Sequence, residues 1–356
     1  METKELYYQA VELLKNLIET PSFSGEEEGT ALLLEQWFKR HEMPYHRHLN
    51  NIWAVNKEFD PQKPTILLNS HHDTVRPNKA YTRDPHSGVV EDGKLYGLGS
   101  NDAGGCLVSL LAAFTFFYNA ENLQYNLVFA GTAEEEINGK NGIESLLSRI
   151  PTTHVAIVGE PTLMQLATAE KGLIVFDAVI EGTPSHAAHP NNDNAIYKAG
   201  RALQWFEAFQ FDKKSNLLGD VKLTVTAINA GKQHNVVPAL VNLVIDVRVN
   251  DCYSNEEIES ILKENAPVDR IESRSLRLRS SSISKDHELI WAGISLGMKC
   301  YGSPTLSDQA LLNCPSVKLG PGDSTRSHSA DEFIHLHEIE KGIELYTQLL
   351  KKILLK

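Results

Sequence analysis

Residues 65–73 read TILLNSHHD, an apolar run from Thr65 to Leu68 that passes through Asn69 and Ser70 into His71, His72 and Asp73. A short, unbroken apolar run suits a strand buried on both faces, as in a parallel sheet covered by helices. Two later runs repeat the design. NLVFAG (126–131) leads into Thr132, Ala133, Glu134, Glu135 and Glu136, and HVAIV (154–158) leads into Gly159, Glu160 and Pro161. Helical patterns at 5–19, 26–41 and 106–118, a shorter one at 141–148 and a strand at 52–55 alternate with these runs. Such alternation predicts an α/β fold, a sheet flanked by helices on both faces.

The middle of the chain changes character. Strand patterns at 172–180, 221–228, 240–249 and 270–278 and helical patterns at 194–211 and 255–264 follow the order β-α-β-β-α-β, that of a ferredoxin-like α+β unit. An amphipathic helix then closes the sequence at 337–355. The predicted organisation is an insert at 168–275 between the two parts of one discontinuous domain, 1–167 and 276–356. A length of 356 residues, beyond the size at which one core stops growing, agrees with two domains.

Composition narrows the function classes. Hydrophobic residues at 42% and charged residues at 22% are ordinary for a globular chain, so a large core forms without covalent staples. The four cysteines, Cys106, Cys252, Cys300 and Cys314, are widely spaced with no CxxC pair, which suits reduced thiols and a cytoplasmic location. The N-terminus is a charged amphipathic segment, not a signal peptide, and the apolar run at 107–118 is too short to span a bilayer. No membrane association is therefore expected. A formal net charge of −12 disfavours a nucleic-acid partner.

In open α/β sheets, sites form beyond the carboxyl ends of the strands. Three predicted strands thus deliver His71, the Glu134–Glu136 run and Glu160 to one edge. A fourth segment, LYGLGSNDAGG (95–105), is a glycine-rich turn that opens into a helix and carries Asp102 near its start. Each piece alone has a bland reading. His-x-Asp after a strand is ordinarily a polar turn, and three successive glutamates ordinarily form a solvated face. The 97–105 loop lacks the GK[ST] ending of a phosphate loop and places an acid where an anion would bind. Their convergence is harder to explain blandly.

Taken together, LLNSHHDTV (67–75), LYGLGSNDAGG (95–105), AGTAEEE (130–136), VGEPT (158–162) and GPGDSTRSHSADEFI (320–334) resemble the zinc-dependent aminoacylase, carboxypeptidase and acetylornithine deacetylase family. The motifs run in family order over nearly the whole chain. The resemblance implies a zinc-peptidase α/β domain interrupted by a ferredoxin-like lid that also mediates dimerisation. It assigns His71 and Glu160 to one metal ion, Glu136 and His328 to the other, and Asp102 as the bridge. Imidazole and carboxylate ligands suit Zn²⁺, with Co²⁺ as an alternative. Asp73 would orient His71 from behind. Glu135 would be the general base that takes a proton from the attacking water and returns it to the leaving amine.

The same resemblance reaches the insert. In GTPSHAAHP (182–190) it picks His186 as the residue that binds the carbonyl oxygen in the partner subunit's site, and in GKQHNVVP (231–238) and Asp246-Val247-Arg248 it picks Asn235 and Arg248 as substrate-binding. An ion pair with Asp246 is the bland alternative for Arg248. His72 reads as packing. Three positions depart from the family pattern: Gly104 where a lysine is common, Glu134 where aspartate is common, and His189 where a small residue is usual. The implied protein is a homodimeric N-acyl-amino-acid deacylase. Acetylornithine or succinylornithine deacetylase of arginine biosynthesis is the nearest type. Lysine-pathway deacylases and di- or tripeptide aminopeptidases are alternatives, and a non-catalytic relative would lack a ligand or the base.

Overall fold

The structure is a computed structural model that describes residues 2–355. Two compact units emerge. One comprises the chain up to Thr168, Ser282–Tyr301 and Ser307 onward; the other comprises Ala169–Ser281 with Gly302–Leu306.

The first unit is built on a mixed sheet of nine strands. Its order begins His46–His48, Asn51–Val55, Asn126–Thr132, Thr65–His71, Val155–Val158, Ser316–Lys318 and Leu166–Glu170. The strands Asn126–Thr132, Thr65–His71, Val155–Val158 and Ser316–Lys318 lie parallel. Every residue of Thr65–His71 and Asn126–Thr132 is buried, as their unbroken apolar runs require. Successive side chains serve opposite faces. Ile66, Leu68, Leu127 and Phe129 join the large core, and Leu67, Val128 and Ala130 join a smaller cluster with Ile143, Leu146 and Ile150. Helices Thr3–Glu19, Gly105–Phe117 and Leu336–Leu354 contribute to the large core.

The apolar run at 107–118 lies in the helix Gly105–Phe117, close to the predicted 106–118. With the turn before it, Ser100–Phe117 forms an 18-residue segment apolar enough to cross a membrane, yet 83% of it is buried within the structure. It is a core helix.

The second unit has a four-stranded antiparallel sheet in the order Lys222–Ala230, Leu240–Val249, Gly172–Glu181 and Arg270–Ser273, with helices Ala195–Ala208 and Asn255–Asn265. Burial alternates along Gly172–Glu181 and Leu240–Val249, so one face carries the core of Ile174, Phe176, Leu243, Ile245 and their neighbours. This unit continues past residue 275 for a local reason. Asn255 Nδ2 donates to the carbonyls of Leu276 and Leu278 at 2.9 and 3.0 Å, and Leu173 N donates to Leu278 O at 3.0 Å.

Candidate metal centre

Register decides which side chains meet. His71, the last residue of its strand, lies opposite Thr132, and Asn69 lies opposite Val158. The segments that follow Thr132 and Val158 therefore deliver Glu134–Glu136 and Glu160 to the edge where His71 ends. Asp102 comes from the irregular turn Ser100–Gly104 that precedes the buried helix, and its peptide bond to Ala103 is cis. His328 follows the turn Ser324–Arg326 with a left-handed backbone, φ 58°.

Asp102 stands between the two histidines. Its Oδ1 lies 3.4 Å from His71 Nε2 and its Oδ2 lies 3.5 Å from His328 Nε2. Glu160 Oε1 is 3.7 Å from His71 Nε2, and Glu136 Oε2 is 3.0 Å from His328 Nε2. Ligand-type atoms of His71, Asp102 and Glu136 fall within 4.8 Å of one another, as do those of His71, Glu135 and Glu160. Glu135 is thus as close to the centre as the other acids. Behind His71, Nδ1 lies 3.0 Å from the Asp73 carbonyl and 3.4 Å from its carboxylate.

The charges are crowded. Burial, reinforced by the Asp102 charge, pushes the Glu160 carboxyl up to about 8. Burial with the charges of Glu160, Asp308 and Glu136 raises Glu135 well above the usual carboxylate range. His328 is raised to about 9, first by its contact with Glu136. For His71, burial alone favours the neutral ring, but contacts with Asp102 and Asp73 and the charges of Glu135 and Glu160 outweigh it and raise its pKa. Buried carboxylates that face one another are costly unless a cation neutralises them. His71 Nε2 is moreover buried without a hydrogen-bond partner. A buried imidazole nitrogen without a partner, directed among carboxylates, fits a divalent metal ion.

His72 is held away from this cluster. Its ring contacts Thr30 Oγ1 at 2.8 Å and Asn50 O at 2.9 Å, and burial lowers its pKa to about 4. Gly104, where a lysine is common in the family, admits no side chain. A Cβ there would come within 2.4 Å of Gly99 O and 2.6 Å of Leu14 Cδ1.

In the second unit, Ser185–His186 pairs with Val236–Val237 across about 50 residues of sequence, and Asn235 O accepts from Ala187 N at 2.9 Å, so His186 and Asn235 belong to one exposed two-stranded ladder. His186 Nδ1 accepts from Ala188 N at 3.1 Å, which leaves the proton of a neutral ring on Nε2. Arg248 lies instead on the four-stranded sheet, opposite Leu173, with its Nε and Nη2 bonded to the Asp246 carboxylate at 2.9 and 3.1 Å.

The sequence reading missed several residues that support the cluster. Glu332 is buried, and its carboxylate accepts from the backbone amides of Gly99, Asn101 and Asp102 at 3.2, 2.8 and 2.9 Å. Asp308, also buried, accepts from Thr132 Oγ1 at 2.8 Å. Their partners are main-chain amides or distant hydroxyls, which leave no local mark beyond the position of Glu332 in the ADEF motif.

A cluster of carboxylates around buried His71 and exposed His328, gathered beyond the carboxyl ends of parallel strands, is that of a metal-dependent hydrolase. The profile of peptidase family M20/M25/M40 matches residues 67–352, and the chain belongs to that family, whose members hydrolyse amide bonds. Among curated proteins it is similar to a succinyl-diaminopimelate desuccinylase of Rickettsia bellii, 24% identical over 379 residues that cover 96% of each chain. Its fold is that of the aminopeptidase PepT of Bacillus cereus, with a TM-score of 0.76, 17% identity and 99% of each chain covered. It is similar also to a dinuclear metal-binding M20 peptidase of Bacillus subtilis, with a TM-score of 0.73, 15% identity and 98% of each chain covered.

Proposed function

We propose that the protein removes the acyl group from an N-acyl amino acid, with N-acetylornithine and N-succinylornithine as the first candidates and N-succinyl-diaminopimelate beside them. The observation that carries the hydrolytic part is Asp102, whose two oxygens each face a different histidine. In this reading His71 and Glu160 hold one divalent ion and Glu136 and His328 the other, with Asp102 shared and zinc the best match to the donor set. Bound there, the two ions supply Lewis-acid polarisation of the amide carbonyl and make water a better nucleophile.

The chain's own groups do the rest. Glu135 lies near His71 and Glu160, and its raised pKa suits it to take a proton from water and deliver it to the leaving amine. Asp73 fixes the His71 ring through Nδ1 and leaves Nε2 to bind metal. His186 donates from Nε2 to the oxygen on which negative charge develops, and Asn235 offers its amide beside it. Asp246 sets the plane of the Arg248 guanidinium, which has further N–H groups for a substrate carboxylate.

The family resemblance further implies a homodimer in which His186 of one copy serves the active site of the other. The acyl-amino-acid reading is supported by the family resemblance and by the desuccinylase relative. A panel of N-acetylornithine, N-succinylornithine, N-succinyl-diaminopimelate and dipeptides, assayed with added Zn²⁺ or Co²⁺, tests it. Turnover confined to dipeptides would replace it with a peptidase.

A further inference from the structure

The segment Pro21-Ser22-Phe23-Ser24-Gly25-Glu26-Glu27 has no part in the reaction as described so far, yet it is bonded to the catalytic edge. It begins as a tight turn. Glu26 N donates to Phe23 O at 2.7 Å, and Gly25 at the third position has φ +87°, a conformation that favours glycine. Ser24 is thereby fixed at the second position. The turn is also tied to the stretch after the catalytic strand, through a bridge between Phe23 and Thr74 and a bond from Thr74 N to Ser22 O at 2.8 Å.

From that turn Ser24 Oγ donates to Asp73 Oδ2 at 2.6 Å. The other bonds of the Asp73 carboxylate go to the base-bearing segment, with Glu135 N donating to Oδ1 at 3.0 Å and Glu136 N to Oδ2 at 3.2 Å. Glu27, fully buried at the end of the turn, accepts from Glu134 N at 3.2 Å and from Asn50 Nδ2 at 2.9 Å. Three consecutive amides, 134–136, are thus turned toward two buried carboxylates behind the site, and the left-handed backbone of Glu134, φ 55°, is part of that turn. Asp73 is bonded at once to the His71 side and to the backbone of Glu135, and Ser24 makes its shortest contact.

We propose that Ser24 and Glu27 are positioning residues for hydrolysis: acting through Asp73 and the amides of 134–136, the turn sets the Glu135 carboxylate in place relative to His71. The inference rests on Glu135 being the general base. Hydrogen bonds to charged groups are the stronger kind, and loss of one that positions a catalytic group costs rate without costing affinity.

The test compares Ser24→Ala, Ser24→Thr, Glu27→Gln and Glu135→Ala in the zinc-loaded protein, using an N-acyl amino acid that the unaltered protein hydrolyses. Metal per chain and the thermal midpoint of the metal-free protein are measured alongside. Ser24→Ala is expected to lower kcat about tenfold to a hundredfold with KM, metal content and midpoint unchanged, and Ser24→Thr, which keeps the hydroxyl, to restore most of it. A kcat within about twofold of the unaltered protein, a loss matched by lost metal, or a loss that threonine does not restore would overturn the proposal. If Ser24→Ala does not fold, Glu27→Gln decides in the same way, with a loss confined to kcat expected and an unchanged kcat overturning it. An active Glu135→Ala would instead bring down the general-base reading, and the proposal with it. An inactive Glu135→Ala beside a fully active Ser24→Ala would bring down the proposal alone.

Discussion

The two largest sheets of this protein, of nine and four strands, solve different problems. In the metal-bearing unit, Thr65–His71 and Asn126–Thr132 are buried at every residue, while in the inserted unit Gly172–Glu181 and Leu240–Val249 bury every second one. A sheet enclosed on both faces delivers the side chains at its edge in fixed positions. His71 and Asp73 are each 1% exposed and locked in a shared network. An open sheet presents its groups instead. On it Arg248 is held by the Asp246 carboxylate, and in the same unit His186 and Asn235 lie exposed on a separate two-stranded ladder. The first unit thus holds His71 and Asp73 in a closed network, and the inserted unit leaves His186 and Asn235 open to solvent.

The sharpest way to break this contrast is to remove metal. If the enclosed edge is a metal centre, dialysis against a chelator abolishes hydrolysis and Zn²⁺ or Co²⁺ restores it. Full activity in a protein shown by elemental analysis to be metal-free contradicts the reading of the whole cluster. Next in size is Glu135→Ala, which is expected to lower kcat by at least about a hundredfold while metal content stays near that of the unaltered protein. Because Glu135 also comes within ligand distance of His71 and Glu160, loss of metal in this variant would exchange its role with that of Glu136.

The enclosed half was the more legible in the sequence, and for the same physical reason. The short unbroken apolar runs leading to His71, Thr132 and Val158 suit buried strands, and strands of one parallel sheet bring the residues just beyond them to one edge. What escaped reading lacked any run or period. Ser316–Lys318, three residues long, is a fully buried strand beside Val155–Val158, too short to show alternation. The strands Lys94–Tyr96 and Phe333–His335 pair across a long sequence separation that neither announces. The helix predicted at 194–211 stops at Ala208, because Phe209 turns extended and stacks on Trp205. Ser24, Asp308 and Glu332 look like ordinary loop polar residues, and Glu27 like a solvated acid at the start of the helix predicted at 26–41. Only the fold shows that their partners are backbone amides and hydroxyls of the catalytic segments.

Two smaller effects probe the open half. His186→Ala is expected to keep its metal and lose about 10²–10³ in kcat, the usual cost of removing a donor aimed at a developing oxyanion. Unaltered kcat would leave His186 without a catalytic role. Arg248→Lys is expected to give the smallest change, about tenfold in kcat/KM for N-acylornithine, because an ammonium cannot reproduce the two-pronged contact of a guanidinium with a carboxylate. Equal kcat/KM would confine Arg248 to its pair with Asp246.

The contrast is tested most directly by mixing His186→Ala with Glu135→Ala under conditions that exchange subunits. Each variant alone is inactive, one for want of the His186 donor and the other for want of the base. If His186 of one copy completes the metal centre of another, every mixed dimer regains one intact site, and random mixing gives about half mixed dimers and about a quarter of unaltered activity. No recovery, with subunit exchange demonstrated by mass-tagged chains, would contradict the account and return His186 to its own chain.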